Sequence, residues 1–397
     1  MRLANLKLVL PEGILDNGYI DLEDGFIADI GQDANQYDID GQGCYALPGL
    51  IDLHGDMIER DVEPRPKAYF PTELALLELD KRLAALGITT AYAAISFAEA
   101  RKMAYLRSEE RARDTIHLIN SLKDELLVDM RIHARFEVTN HGAPKILHEL
   151  LEQEHIDLIS LNDHTPGQGQ YRDLETHIKH VAAWRGISED AFRVEVLERL
   201  ERLSQNPPSW DVIHGICEEA RKNGIVIASH DDDTIDKVDL ITSLGASLSE
   251  FPVTMEAARE AKRRGLFTLM GAPNAYRGQS NTGNLSAMEA LKEGLVDILA
   301  SDYYPAAMLH MVFKLTADGT LPLHEAVKLV SSHPANAAGL FDRGSLELEK
   351  RADIALVETS PGHLPRVRAS FSKGKPIFWD GKLGLARLAP QKVMVNA

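Results

Sequence analysis

Only two cysteines, Cys44 and Cys217, occur in 397 residues. That excludes a disulfide framework and a four-thiolate zinc site, and it suits a reducing, cytoplasmic setting. Basic residues are scarce beside acidic ones, 43 against 60, for a net charge of −17. A surface that acidic repels nucleic acid and anionic membrane, so an anionic substrate needs a local basic pocket. No apolar run reaches the length of a membrane span. The opening MRLANLKLVL is interrupted by Pro11 and Glu12 too soon for a signal peptide. Internal repeats and low-complexity segments are missing. So is a glycine-rich phosphate fingerprint after a first strand, which counts against a dinucleotide-binding sheet. The remainder, 44% apolar and 26% charged, is the composition of a globular protein. Its length suggests one large domain with a smaller companion.

Both ends of the chain read as short strands broken by tight turns. Near the start, LKLVL (6–10) and YIDL (19–22) alternate with Asn17-Gly18, Asp24-Gly25 and Asp40-Gly41. RADIALVE (351–358) and the Gly374 and Gly381 turns repeat that texture at the far end. The pattern predicts one small β-domain from residues 1–45 and 341–397, around a different middle at 46–340. That middle alternates apolar β-runs with amphipathic helical stretches, such as 73–86 and 188–204. Strands are predicted at 46–53, 88–97, 131–138, 157–163, 225–229, 246–251, 266–271 and 296–301. Eight parallel strands with helices between them are the count of a (β/α)8 TIM barrel, whose chemistry sits where the strands end.

The residues just past these strands are unusually rich in metal-ligand types. The first strand runs into His54-Gly55-Asp56, the third carries Glu137, and the fourth ends at Asp163-His164. The fifth ends at His230, and the eighth at Asp302. A single histidine at a strand end is usually just a hydrogen-bonded polar group, and His-X-Asp alone is a weak signal. Repetition at one structural level in five of the eight units is what points to metal. The candidate ligands are His54, Asp56, Glu137, His164, His230 and Asp302. A nitrogen- and oxygen-rich set of this kind suits Zn²⁺, Mn²⁺ or Fe²⁺, and it exceeds what one tetrahedral ion needs. Two divalent ions bridged by Glu137 would use it fully and activate a water for hydrolysis. Asp302 is the candidate catalytic base, since a carboxylate at the last strand end can take the water's proton. Other histidines, His133 among them, read as packing or surface residues.

The stretches LHGDMIERDVEPRP (53–66), LISLNDHTPGQGQ (158–170), IASHDDDT (227–234), SEFPVTMEAA (249–258), LMGAPNAYRGQSNTGN (269–284) and DILASDYYP (297–305) resemble, in order, the PhnM family within the amidohydrolase superfamily. The resemblance covers nearly the whole chain. It implies a distorted barrel with a small β-sandwich, two divalent metals, and a diphosphatase acting on α-D-ribose 1-methylphosphonate 5-triphosphate. The same six residues fall at the family's ligand positions. The superfamily usually places its two later histidines on the fifth and sixth strands, whereas the strand count here puts His164 and His230 on the fourth and fifth. No lysine stands at position 137, so a carbamylated bridge is not expected.

A triphosphate needs cations or backbone N–H groups around it. By proximity to strand ends the candidates are Arg65, Lys67, His141, Arg172 and Arg277, with the glycine-rich run 278–283 beside the last. The competing activity is hydrolysis of a C–N bond in a cyclic amide, acylated amine or heterocycle, because the same metals serve both reactions. The pocket discriminates: converging arginines favour phosphate, and an apolar pocket favours an amide. An intact ligand set argues against a silent scaffold, and a homodimer is compatible with the sequence but has no residue-level support in it.

Overall fold

A computed structural model describes residues 1–98, 105–280 and 283–385. Its centre is an eight-stranded parallel sheet whose neighbours follow chain order. The strands are Leu50–Gly55, Ile88–Phe97, Asp129–Glu137, Leu158–Asn162, Val226–His230, Leu248–Glu250, Phe267–Gly271 and Ile298–Ala300. The first and last meet through a parallel bridge between Gly55 and Asp302. Around that bridge the Asp302 amide donates to the His54 carbonyl at 2.9 Å and the Asp56 amide to the Asp302 carbonyl at 2.8 Å. This seam closes the (β/α)8 barrel and fixes His54, Asp56 and Asp302 side by side.

Strands covered on both faces need near-continuous apolar sequence. Ile88–Phe97 shows it, with all ten residues buried. Inside the barrel, Ile51, Leu53, Tyr92, Leu158, Ala228, Leu248, Leu269 and Ile298 pack as one cluster, the filled interior expected of this fold. A separate, larger cluster joins the outer strand faces to the helices.

The chain ends build a second sheet of nine strands. Its first strand, Arg2–Leu10, changes partner along its length. Leu3 and Ala4 pair with Ile39 and Asp40, and Lys7 and Leu8 pair with Tyr45 and Ala46. That fork lets the sheet enclose its own core of Leu3, Leu6, Leu8, Ile20, Ile354 and Phe371. One expectation needs correcting here. The run 46–53 is not a single strand: Tyr45–Pro48 pairs with Ile354–Glu358 in the terminal sheet, and only Leu50–Gly55 enters the barrel. Gly49 marks the crossing, where a Cβ would stand 2.2 Å from the Thr89 hydroxyl.

Between the fourth and fifth strands the chain inserts a helical hairpin, Leu174–Arg185 and Glu189–Gln205. Asp173 caps the first helix by accepting from the Thr176 amide, and Ser188 caps the second by accepting from the Ala191 amide. Gly186 ends the first helix in the left-handed region at φ 65°. The pair packs on its own small core of Ile178, Ala182, Phe192 and Val196, distinct from the barrel clusters. No helix among the described residues is long and apolar enough to cross a membrane. Both cysteines are free and buried, and burial pushes their thiols up to about 11.

Candidate active site

A cavity of about 380 Å³ opens at the C-terminal rim of the barrel, lined by His54, Asp56, His164, His230, Asp231 and Asp302 among others. A larger cleft of about 880 Å³ lies between barrel helices and the terminal sheet, but no residue at a barrel strand end lines it. The chemistry is therefore sought in the smaller one. Three strand ends turn through left-handed backbone at non-glycine residues: Asp231 (φ 56°), Phe251 (φ 52°) and Asp302 (φ 53°). Such backbone costs free energy and gathers at functional sites. Here it redirects the chain just as it leaves the barrel.

Three imidazoles converge in a shared pattern. His164 donates from its backbone N–H to one Glu137 oxygen at 3.0 Å and from Nδ1 to the other at 2.6 Å. His230 Nδ1 donates to Glu250 at 3.3 Å, and His54 Nδ1 lies 3.3 Å from the same carboxylate's other oxygen. A carboxylate behind Nδ1 fixes the tautomer and turns Nε2 outward, which is how metal-binding histidines are commonly oriented. The Nε2 atoms then face aspartates. His54 Nε2 is 3.5 Å from Asp56, and Asp231 Oδ2 is 3.6 Å from His164 Nε2 and 3.7 Å from His230 Nε2.

Those separations are too long for hydrogen bonds, and Asp231 Oδ2 is buried without a partner. Two ligands of one tetrahedral ion at about 2.1 Å stand about 3.4 Å apart. His164, His230 and Asp231 therefore fit a divalent ion, and the donor atoms of His54, His230 and Glu250 are also mutually close enough to share one.

The electrostatics match this reading. Burial pulls the His54 ring down, but Glu250 and Asp56 more than offset it and carry it up to about 10. His164 rises likewise to about 9, burial being outweighed by Glu137 and Asp231. Protons held at these nitrogens are what a cation displaces on binding. Burial, with Arg135, His54 and His164 nearby, keeps His230 neutral. His133 is fully buried and neutral, pushed down to about 3 mainly by burial, and spans the Leu53 carbonyl and the Ser160 hydroxyl. It is a packing histidine, as the sequence suggests. Asp302 is raised to about 7 by burial and by the neighbouring charge of Asp56.

Five of the six ligand candidates, all but Glu137, line the cavity. Both Glu137 oxygens are occupied by His164, so it stands behind that histidine rather than between two cation positions. The strand count is correct: His164 follows the fourth strand and His230 ends the fifth. Asp231 and Glu250 are absent from the sequence-derived set, although both sit in quoted motifs.

The cationic residues differ more. Arg65, Lys67, His141 and Arg172 are exposed and do not line the cavity. Arg65 and Ala68 close a tight turn, the Lys67 amide donates to Glu63, and His141 reaches the Asn206 carbonyl at 3.3 Å. Arg277 approaches indirectly, donating at 3.3 Å to the hydroxyl of Tyr303, which does line the cavity. Of the glycine-rich run, residues 281 and 282 lie outside the described residues. The arginines that line the cavity are Arg107, Arg135 and Arg199. Arg135 donates to Asp56 at 2.9 and 3.2 Å and to His230 Nε2 at 3.1 Å. Arg107 grips Glu59 through three bonds of 2.9 to 3.0 Å.

A closed parallel barrel with oriented histidines and aspartates at its C-terminal rim defines a class: the barrel hydrolases that work through bound metal ions. The Amidohydrolase family profile matches residues 45–383. Over 390 residues the chain is 34% identical to the alpha-D-ribose 1-methylphosphonate 5-triphosphate diphosphatase of Escherichia coli K12, covering 95% of this chain and 100% of that one. The chain belongs to the PhnM family of the amidohydrolase superfamily. A dihydroorotase of Trichlorobacter lovleyi is 24% identical, covering 93% of this chain and 92% of its own. Among solved structures, the 5-methylcytosine deaminase of Klebsiella pneumoniae liganded with phosphonocytosine is similar at TM-score 0.64 and 15% identity, covering 96% of this chain and 98% of its own.

Proposed function

We propose that this enzyme hydrolyses the 5-triphosphate of α-D-ribose 1-methylphosphonate to the 5-phosphate and pyrophosphate. Membership of the PhnM family supports the reaction, and one structural observation carries the choice of substrate. Three guanidinium groups, Arg107, Arg135 and Arg199, line the same cavity as the histidines and aspartates. A triphosphate needs charge-assisted donors of that kind. A cyclic amide does not, so C–N hydrolysis is the weaker reading.

The metal would be held by the Nε2 atoms of His54, His164 and His230 together with Asp56, Asp231 and Asp302. The donor set is larger than one four-coordinate ion uses, which supports two ions, zinc being compatible with its composition. A divalent ion there supplies Lewis-acid polarisation of a phosphoryl oxygen and acidifies water. The chain's own residues do the rest. Arginine N–H groups orient the phosphates, Glu137 and Glu250 hold the imidazoles in register, and Asp302 takes the proton of the attacking water. The P–O bond between the α and β phosphates breaks, water adds across it, and pyrophosphate leaves. Two free, buried thiols agree with a cytoplasmic setting.

The test is a product assay on protein reconstituted with zinc or manganese. Pyrophosphate release from ribose 5-triphosphate compounds is expected, without ammonia or new acid from cyclic amides. The opposite pattern would overturn the proposal.

A further inference from the structure

We propose that Arg199, presented by the inserted helical hairpin, is the specificity residue that selects a polyphosphate tail over less charged substrates. This deepens the diphosphatase reading and rests on it. The three cavity arginines are not equivalent. Arg135 is committed to Asp56 and His230, and Arg107 is committed to Glu59. Each brings its own carboxylate, so each pair contributes little net charge. Arg199 makes no salt bridge or hydrogen bond with the described residues, yet it lines the cavity beside His164, Tyr171 and Asp231. In a chain of net charge −17, an uncompensated guanidinium at the mouth is the group left to neutralise a polyanion.

Its support is specific too. Arg193 and Arg185 are spent on surface pairs, with Glu175 at 2.6 and 2.7 Å and with Glu195 at 2.8 Å, and Arg202 is exposed and does not line the cavity. The hairpin packs on its own core and enters the chain between His164, which follows the fourth strand, and His230, which ends the fifth. An element of that kind adds substrate selection without disturbing the barrel.

The experiment compares wild-type holoenzyme with Arg199→Ala, Arg199→Lys and, as a fold and charge control, Arg193→Ala. Two quantities are read: kcat and KM on the ribose 5-triphosphate, and binding of inorganic tripolyphosphate by calorimetry. Loss of one guanidinium–phosphate contact is worth roughly ten- to hundred-fold in affinity. Arg199→Ala should raise KM and weaken tripolyphosphate binding by that factor, with kcat within about threefold. Lysine should restore part of the loss, and Arg193→Ala should match wild type. Unchanged KM and tripolyphosphate affinity in Arg199→Ala would overturn the inference, as would a fall in kcat alone. If wild-type enzyme releases no pyrophosphate, the proposed reaction fails, and the tripolyphosphate arm still decides Arg199 by itself.

Discussion

Replacing Glu250 with glutamine tests the site where it is most specific. Glu250 is fully buried on the sixth strand and meets two rim histidines, with 3.3 Å to His54 Nδ1 and 3.3 Å to His230 Nδ1. Glutamine preserves the volume but has one acceptor oxygen, and its other end is an N–H₂ donor. It can serve one imidazole; the second then faces a donor and loses the tautomer that turns its Nε2 outward. Losing such an orienting partner costs about 10- to 100-fold in metal affinity, or about 1.4 to 2.7 kcal/mol. The two histidines share one carboxylate, so their contributions couple rather than add, and one histidine's worth is the expected loss. The assay is zinc competition against a chromophoric chelator, with bound metal counted by mass spectrometry after gel filtration and the fold checked by circular dichroism. A variant that folds normally and holds zinc with wild-type affinity would show that Glu250 merely satisfies buried histidines and does not orient metal ligands.

Three further outcomes are expected. Asp302→Asn should lower kcat by at least about 100-fold, the usual worth of a positioned base, while the melting temperature holds, because the substitution also removes a like charge beside Asp56. Arg172→Ala, Lys67→Ala and His141→Ala, all exposed and outside the cavity lining, should keep KM within about twofold, and a tenfold rise in any of them would extend the substrate site beyond the cavity. Asp129→Asn should cost about 3 to 5 kcal/mol in urea denaturation at pH 7, because this carboxylate is met by Arg343 at 2.5 Å and Arg351 at 3.1 Å from the segment entering the terminal sheet. Burial works against it, but Arg131, Arg343 and Arg351 hold its carboxyl well below the ordinary value of 3.8. Its stabilisation is thus fully present above about pH 4 and lost as pH falls through the native value. The gap between wild type and variant should therefore narrow in acid; a gap that stays constant down to pH 3 or widens would refute the assignment.

The rim residues were legible because parallel strands end together, so a rule as simple as reading the residue after each strand gathers groups far apart in sequence. The rule stops at Asp231. Alternation along a strand sends the residue after His230 to the other face, and only the left-handed turn at φ 56° brings it back to the cavity. Glu250 closes a strand of only three residues, and nothing local announces that two imidazoles from other strands rest on it. Arg135 was within reach, since it lies two residues before Glu137 and so on the same strand face. Arg107 and Arg199 were not. They lie outside the barrel strands, and no periodicity in their own stretches reports where the hairpin and the turn before the third strand come to rest. Proximity to a strand end misled in the other direction: Arg65, Lys67 and Arg172 follow strands closely, but their loops carry them to solvent.

The same division explains why the barrel alone leaves the reaction open. A metal ion held at such a rim would polarise a carbonyl and a phosphoryl group alike, so that part of the site does not choose between hydrolases of different bonds. Specificity has to come from groups that respond to the substrate's charge. Arg199 does so from the inserted hairpin, whereas Arg135 already balances Asp56 and Arg107 already balances Glu59. An acidic protein gains from that arrangement. Its overall charge repels anions, an effect screened beyond about 8 Å in physiological salt, and Arg199 offers them a cation on the cavity wall. Discrimination among anions then depends on engaging that group and the rim residues of the same cavity together.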